Sequence, residues 1–164
     1  MAVRHQLIRT PPESVWAVLA DGSRYQDWVV GTDHSRPLDD TWPQVGSAIA
    51  YTARLGPWKL DSHTVVRRCV PTRELELEVD SGRLGTVRVA LELRPWGAHT
   101  LVLVDEHPLG GPAGRLHNTV LDVFLQLRHR DMLSRLAEAT ENDGAGENDG
   151  AAGGDTAVKS AGEK

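Results

Sequence analysis

The hydrophobic pattern changes period along the chain, and the changes divide it into elements. Val3 to Arg9 reads as a short strand that ends at Thr10-Pro11-Pro12. Proline lacks an N–H and fixes φ, so it stops a strand and suits the first turn of a helix. Thr10 is placed to cap that helix, and Glu13 to sit at its positive end. Val15, Trp16, Val18 and Leu19 then recur at helical spacing until Asp21-Gly22. A second short helix is predicted around Ser23 to Trp28, with Ser23 as its cap and Tyr25 and Trp28 on one side. Val29 to Gly46 is mixed and holds a short strand near His34–Leu38 and a loop carrying Trp42.

From Ser47 the pattern is that of strands. Ala48–Arg54 is followed by Gly56-Pro57, and Trp58–Cys69 by Val70-Pro71. Leu75, Leu77 and Val79 alternate with Glu74, Glu76, Glu78 and Asp80. That period of two requires one buried face and one wet face. Val87, Val89, Leu91 and Leu93 repeat the alternation, and His99–His107 is apolar on both faces at Leu101 to Val104. Pro108-Leu109-Gly110-Gly111-Pro112 breaks the sheet. A long helix follows over Gly114 to Ala139, with a stripe of Leu116, Val120, Phe124 and Leu127 widened by Leu121, Val123, Leu125, Leu133 and Leu136. The spacing leaves open which way the strand after Gly56-Pro57 faces.

Consecutive strands joined by tight turns make an antiparallel meander. A sheet with one apolar face must be covered, and the C-terminal helix is the only cover long enough. The expected class is α+β: a curved antiparallel sheet of about six to seven strands wrapped around a long C-terminal helix, with two short helices after the first strand. After Thr140 the composition collapses into Glu-Asn-Asp-Gly, twice, then Ala, Gly and isolated charges. Such a segment buries too little apolar surface to offset its ordering entropy. The expected division is a domain over 1–140 and a disordered acidic, Gly-rich tail over 141–164.

Composition narrows the partners. The formal net charge is −5, but residues 141–164 hold six acidic residues and two lysines, so 1–140 is nearly neutral. Its charges are interspersed, which argues against nucleic acid and against a polybasic membrane patch. No apolar run approaches the roughly 18 residues of a membrane span, so no membrane insertion is expected. Met1 to Gln6 has no long apolar core, so a signal peptide is not expected either. Cys69 is the single cysteine. An internal disulfide is therefore impossible, which fits a reducing, cytoplasmic setting. The seven histidines are scattered with no paired helical spacing, so no metal site is expected. No cofactor is implied. The glycine-rich 110–114 stretch lacks the Lys-Ser/Thr ending of a phosphate loop and reads as a strand-to-helix hinge.

Several segments carry a family resemblance. They are Arg9-Thr10-Pro11-Pro12-Glu13-Ser14-Val15-Trp16-Ala17-Val18-Leu19-Ala20-Asp21, then Tyr25-Gln26-Asp27-Trp28, Trp42 to Ser47, Val70 to Leu75, and Leu127-Arg128-His129-Arg130 through Arg135-Leu136. On these the chain resembles the START/Bet v 1-like superfamily, the polyketide cyclase/dehydrase and lipid transport group, from Val3 to about Glu141. The resemblance implies a helix-grip fold and a cavity between sheet and helix. It leaves chemistry open, because one fold hosts many functions.

Candidate cavity residues follow from strand parity and that resemblance. By the resemblance Thr100, Val102, Val104 and Glu106 point inward, with Glu106 near the mouth. Glu106 is either an acid or base in an apolar pocket or a strand-end carboxylate in water. Tyr51 and His63 either orient a ligand hydroxyl or carbonyl or are surface cross-strand residues. Trp28 and Trp58 are apolar lining candidates, with Val89, Leu91, Val120 and Phe124. His117 faces the pocket entrance or serves as an N-terminal polar contact of the long helix. Three functions compete. The first is binding of a hydrophobic small molecule, lipid or polyketide-like. The second is a polyketide aromatase/cyclase enzyme using Glu106, Tyr51 and His63. The third is a protein-interaction module with a vestigial cavity.

Overall fold

A computed structural model describes residues 2–55, 57–80, 86–110 and 130–143. Strand β1 (Ala2–Ile8) leads into helix α1 (Pro12–Ala20), a 3-10 turn at Gly22–Arg24 and helix α2 (Tyr25–Trp28). Six strands follow: β2 (Thr32–Pro37), β3 (Ala48–Leu55), β4 (Trp58–Val70), β5 (Glu74–Asp80), β6 (Thr86–Trp96) and β7 (His99–Gly110). They form one seven-stranded sheet in the order β1-β7-β6-β5-β4-β3-β2. Every neighbouring pair is antiparallel. Helix α3, whose described part is 130–143, packs on one face. This is the expected α+β helix-grip architecture.

The alternation of β5 is what the sheet uses. Leu75 and Leu77 are buried, while the intervening glutamates form ion pairs on the opposite face: Arg68 with Glu74, Arg88 with Glu76, and Arg67 with Glu78. The Arg67 guanidinium holds the Glu78 carboxyl below its ordinary pKa. A depressed carboxylate stabilises the fold above its unfolded pKa of about 4.3 and loses that contribution as pH falls below it. Arg67→Ala is therefore expected to move the onset of acid unfolding upward, read by circular dichroism against pH.

Three local expectations are corrected. Thr10 does not cap α1. Pro11 occupies that position without a side-chain bond, because Thr10 is turned inward and its carbonyl accepts the Thr100 hydroxyl at 2.7 Å. Ser23 is not the cap of the next turn. The Asp21 carboxylate caps it, accepting from both the N–H and the hydroxyl of Ser23. Pro108-Leu109-Gly110 does not end the sheet. β7 runs through it, with Val87 opposite Pro108 and Thr86 opposite Gly110. A bulge in β7, with Leu109 as the extra residue between the Val87 and Thr86 pairings, accommodates the proline there.

The core lies between sheet and helices. Val15, Val18 and Leu19 of α1 enter it, with Met132, Leu133, Leu136, Ala137 and Thr140 as one stripe of α3. Of the apolar positions expected on the long helix, Leu133 and Leu136 are buried. Leu116, Val120, Leu121, Val123, Phe124, Leu125 and Leu127 lie outside the described residues. Among the described residues, no helix is long and apolar enough to cross a membrane.

α3 continues three residues past the expected boundary at 140. Glu141 Oε1 accepts the Arg9 N–H at 3.0 Å, and Asp143 pairs with Arg24. The Asp143 carboxylate raises the Arg24 pKa above its ordinary value. These contacts tie the end of α3 to the segment that follows β1 and to the 3-10 turn. Truncation after Asp143 should leave the melting temperature unchanged. Truncation after Thr140 should cost about 1 kcal/mol, the sum of a partly exposed ion pair and one charge-assisted bond. The rest of the tail expected over 141–164, from 144 on, lies outside the described residues.

Candidate functional site

Residues directly opposite across a sheet share a face. Val66, Leu77, Val89 and Glu106 thus form one row across β4 to β7. Leu75, Leu91 and Val104 form the next, and Leu93 and Val102 another. On the other side of the Glu106 row lie Thr64, Val79 and Val87. These rows make the concave face, because they meet the helices.

The face is sealed unevenly. Leu75, Leu91, Val102 and Val104 are 0% exposed, so these sheet positions serve as core. Val79, Val87, Val89 and Glu106 stay partly exposed. Val79 and Val89 pack against the core cluster while remaining partly exposed. Glu106 brings a carboxylate to the same end, and Arg4 of β1 lies opposite Val104 in register.

The β2–β4 end is filled by aromatic rings. The Tyr25 ring packs edge-on against Trp28 at 5.3 Å and Trp42 at 6.1 Å, and lies 5.5 Å from Tyr51. Its hydroxyl and Thr64 Oγ1 are 2.7 Å apart and buried. Trp42 Nε1 donates to the Leu19 carbonyl at 3.1 Å. Gly22 allows this corner to close: a Cβ there would lie 2.9 Å from Pro37 Cγ and 3.2 Å from the Trp42 ring. Tyr25→Phe removes one partner of the buried hydroxyl pair and is expected to cost about 1–2 kcal/mol in urea denaturation.

The expected site residues fall in different places. Trp28 and Tyr51 are buried in the aromatic corner. Glu106 is on the concave face, but three strands separate β7 from β3, which carries Tyr51. His63 is not directed into the concavity. It pairs with Ala50 and Asp80 in register, and its imidazole is half-exposed at 3.9 Å from the Asp80 carboxylate. The register after the Gly56-Pro57 turn puts Ser62, Thr64 and Val66 inward and His63 outward, which answers the question the spacing left open. The expected trio Glu106, Tyr51 and His63 is therefore not one cluster. The Trp58 side chain, His117, Val120 and Phe124 lie outside the described residues. Sequence reasoning did not single out Ser62, Thr64 or Ser35. Their signal is register, which a run such as Ser62-His63-Thr64-Val65-Val66 does not disclose. Among the described residues, no group of three or more His, Cys, Asp or Glu is placed to hold a metal ion.

An antiparallel sheet closed on its concave side by a C-terminal helix defines a helix-grip protein. The sequence agrees: residues 2–141 match the family described as polyketide cyclase / dehydrase and lipid transport, and the chain belongs to it. Compared by sequence with curated proteins, the chain has no match. Among solved structures it is similar to Ara h 8.0201, at 10% identity and a TM-score of 0.68, covering 86% of this chain and 97% of that one. Protein NE0264 from Nitrosomonas europaea is similar at 14% identity and a TM-score of 0.66, covering 87% and 94%. The di-domain ARO/CYC StfQ from the steffimycin biosynthetic pathway is similar at 13% identity and a TM-score of 0.66, covering 88% of this chain and 46% of that one. Identities this low speak for the fold alone.

Proposed function

We propose that the protein binds a hydrophobic small molecule, lipid or polyketide-like, between the concave face of the sheet and the C-terminal helix. Val79, Val87 and Val89 form the contact wall, and Glu106 stands at its edge. One observation carries this reading. These valines keep partial exposure on an inner face whose neighbours Leu75, Leu91 and Val104 are sealed. Apolar surface left accessible inside a covered fold is where apolar ligands gain most from leaving water. The family description, which includes lipid transport, supports the same class of ligand.

A cyclase-type enzyme is the weaker reading. Moving protons on a poly-keto chain needs acid and base groups converging on one substrate. Tyr51 and Glu106 sit on separated strands, and His63 is on the other face of the sheet. A cytoplasmic location belongs to the same proposal and rests on Cys69 standing alone.

Titration with N-phenyl-1-naphthylamine, a neutral fluorophore, tests the binding reading. Saturable enhancement at one equivalent is expected. Enhancement that rises linearly without saturation would contradict it.

A further inference from the structure

The two edges of the sheet differ. β2 is blunted: its register shifts between Thr32 and His34, it ends on Pro37, and α2 and the 3-10 turn pack against it. β1 pairs, among the described residues, with β7 alone. It is a strand of seven residues in unbroken register, with no proline and no bulge. Val3, Arg4, His5 and Leu7 are exposed, Val3 at 54% and Leu7 at 44%. An edge strand offers a row of unpaired N–H and C=O groups, and folded proteins guard such edges with prolines, charges, bulges or a cover. The only guard on β1 is the charge of Arg4. A regular edge flanked by exposed Val3 and Leu7 is suited to pairing with another strand.

The sequence of β1 selects the partner, because it is complementary to itself. Val3, His5 and Leu7 lie on the outer face, opposite Asp105, Leu103 and Leu101 of β7. Arg4 and Gln6 lie on the inner face, opposite Val104 and Val102. Two copies related by a two-fold axis normal to the sheet pair antiparallel and keep like faces on the same side. Only an axis through His5, the midpoint of the strand, overlaps the whole of Ala2–Ile8. In that register Val3 meets Leu7 of the second copy on the outer face, and Arg4 meets Gln6 of the second copy on the inner one. Apolar stands against apolar, and the cation stands against a neutral amide whose oxygen can accept from it. The neighbouring registers that preserve the faces set Arg4 against Arg4, or Gln6 against Gln6, and leave the Val3–Leu7 pair unmade.

We propose that β1 is a homodimer edge: two copies of the chain pair antiparallel through Ala2–Ile8 about a two-fold axis at His5, which joins their sheets into one. Each backbone edge satisfies the other, and Val3 and Leu7 leave water at both ends of the seam. The assembly closes at two. Pairing uses both β1 edges and leaves at either end a β2 guarded by its register shift and Pro37. An axis normal to the sheet keeps both concave faces on one side, each under its own helices. The proposal therefore stands independently of what the concave face binds.

Sedimentation velocity on the full chain tests it. A monomer–dimer equilibrium with a midpoint of about 10–100 µM is expected, the weak end that suits an interface of one strand edge. The double substitution Val3→Lys and Leu7→Lys sets lysine opposite lysine at both ends of the seam, and should raise that midpoint at least about ten-fold. Both positions are exposed, so the fold should survive, which circular dichroism checks. Cysteine cross-linking reads the register in a Cys69→Ala background. His5→Cys should form an intermolecular disulfide under mild oxidation, because residue 5 faces its own copy with Cβ atoms about 5 Å apart. Leu7→Cys should not, because that register separates the two copies of residue 7 by about 13 Å along the strands. A chain that stays monomeric at about 1 mM would overturn the proposal and leave the edge to a strand of another protein. A dimer that the double lysine variant leaves intact would overturn it in favour of another surface, and preferential cross-linking through Leu7→Cys would overturn the axis at His5.

Discussion

Replacing Leu136 with alanine is expected to destabilise the fold by about 2–5 kcal/mol, the range for emptying a well-packed leucine site. Leu136 is 0% exposed and lies at the centre of the buried stripe of α3, between Leu133 and Thr140. Thr140 Oγ1 bonds the Leu136 carbonyl at 2.7 Å, so the neighbouring turn is itself held inward. Leu136 belongs to the same buried cluster as Leu75, Leu91 and Val104 of the sheet. Most of the loss is transfer free energy plus the cavity left behind. Urea denaturation reads it as a lower midpoint at unchanged slope. Arg135→Ala, on the exposed side of the same helix, serves as the control and should stay within about 0.5 kcal/mol.

Val89→Phe is expected to weaken binding of N-phenyl-1-naphthylamine at least about ten-fold while costing less than about 1 kcal/mol of stability. Adding a ring to a filled core forces strain of about 1–3 kcal/mol. Val89 is instead partly exposed on the inner face, between Leu77 and Glu106, so the ring has space to occupy. The space it takes is the space proposed for the ligand. Leu91→Phe is the contrast. Leu91 is 0% exposed, and there the larger side chain should cost stability. If Val89→Phe were as costly as Leu91→Phe, the wall would be packed rather than open.

Most of the fold was legible because its elements advertise one periodicity each. β5 alternates without interruption from Glu74 to Asp80, and its buried leucines fall where alternation puts them. α1 follows from Pro11-Pro12 and the Val15-Trp16-Val18-Leu19 spacing. Legibility failed where a long-range partner overrides a local preference. Thr10 has the right chemistry for a cap, but Thr100 claims its carbonyl from 90 residues away. Pro108 looks like a terminator, but a bulge in its own strand, with Leu109 as the extra residue between the Val87 and Thr86 pairings, absorbs it.

The site was less legible than the fold, for the same reason. Trp28 and Tyr51 were recognisable as large side chains on short, well-bounded elements. His63 and Ser62 are adjacent in sequence, and only the pairing of β4 with β3 decides which faces inward. An irregularity in β4, between Val66 and Arg68, changes the parity, which brings Cys69 opposite Leu75 on the core side. Burial there raises the Cys69 thiol pKa. No alternation rule carries through such a bulge, so the polar lining of the corner had no signature in the sequence.

The most direct test of the binding account is native mass spectrometry of the protein purified from its own host, compared with the same sample under denaturing conditions. A bound organic species that leaves on denaturation, and that is lost or sharply reduced in Val89→Phe purified identically, is the result expected. Retention of the same species by Val89→Phe at full occupancy would contradict the placement of the ligand on the Val79 to Glu106 wall.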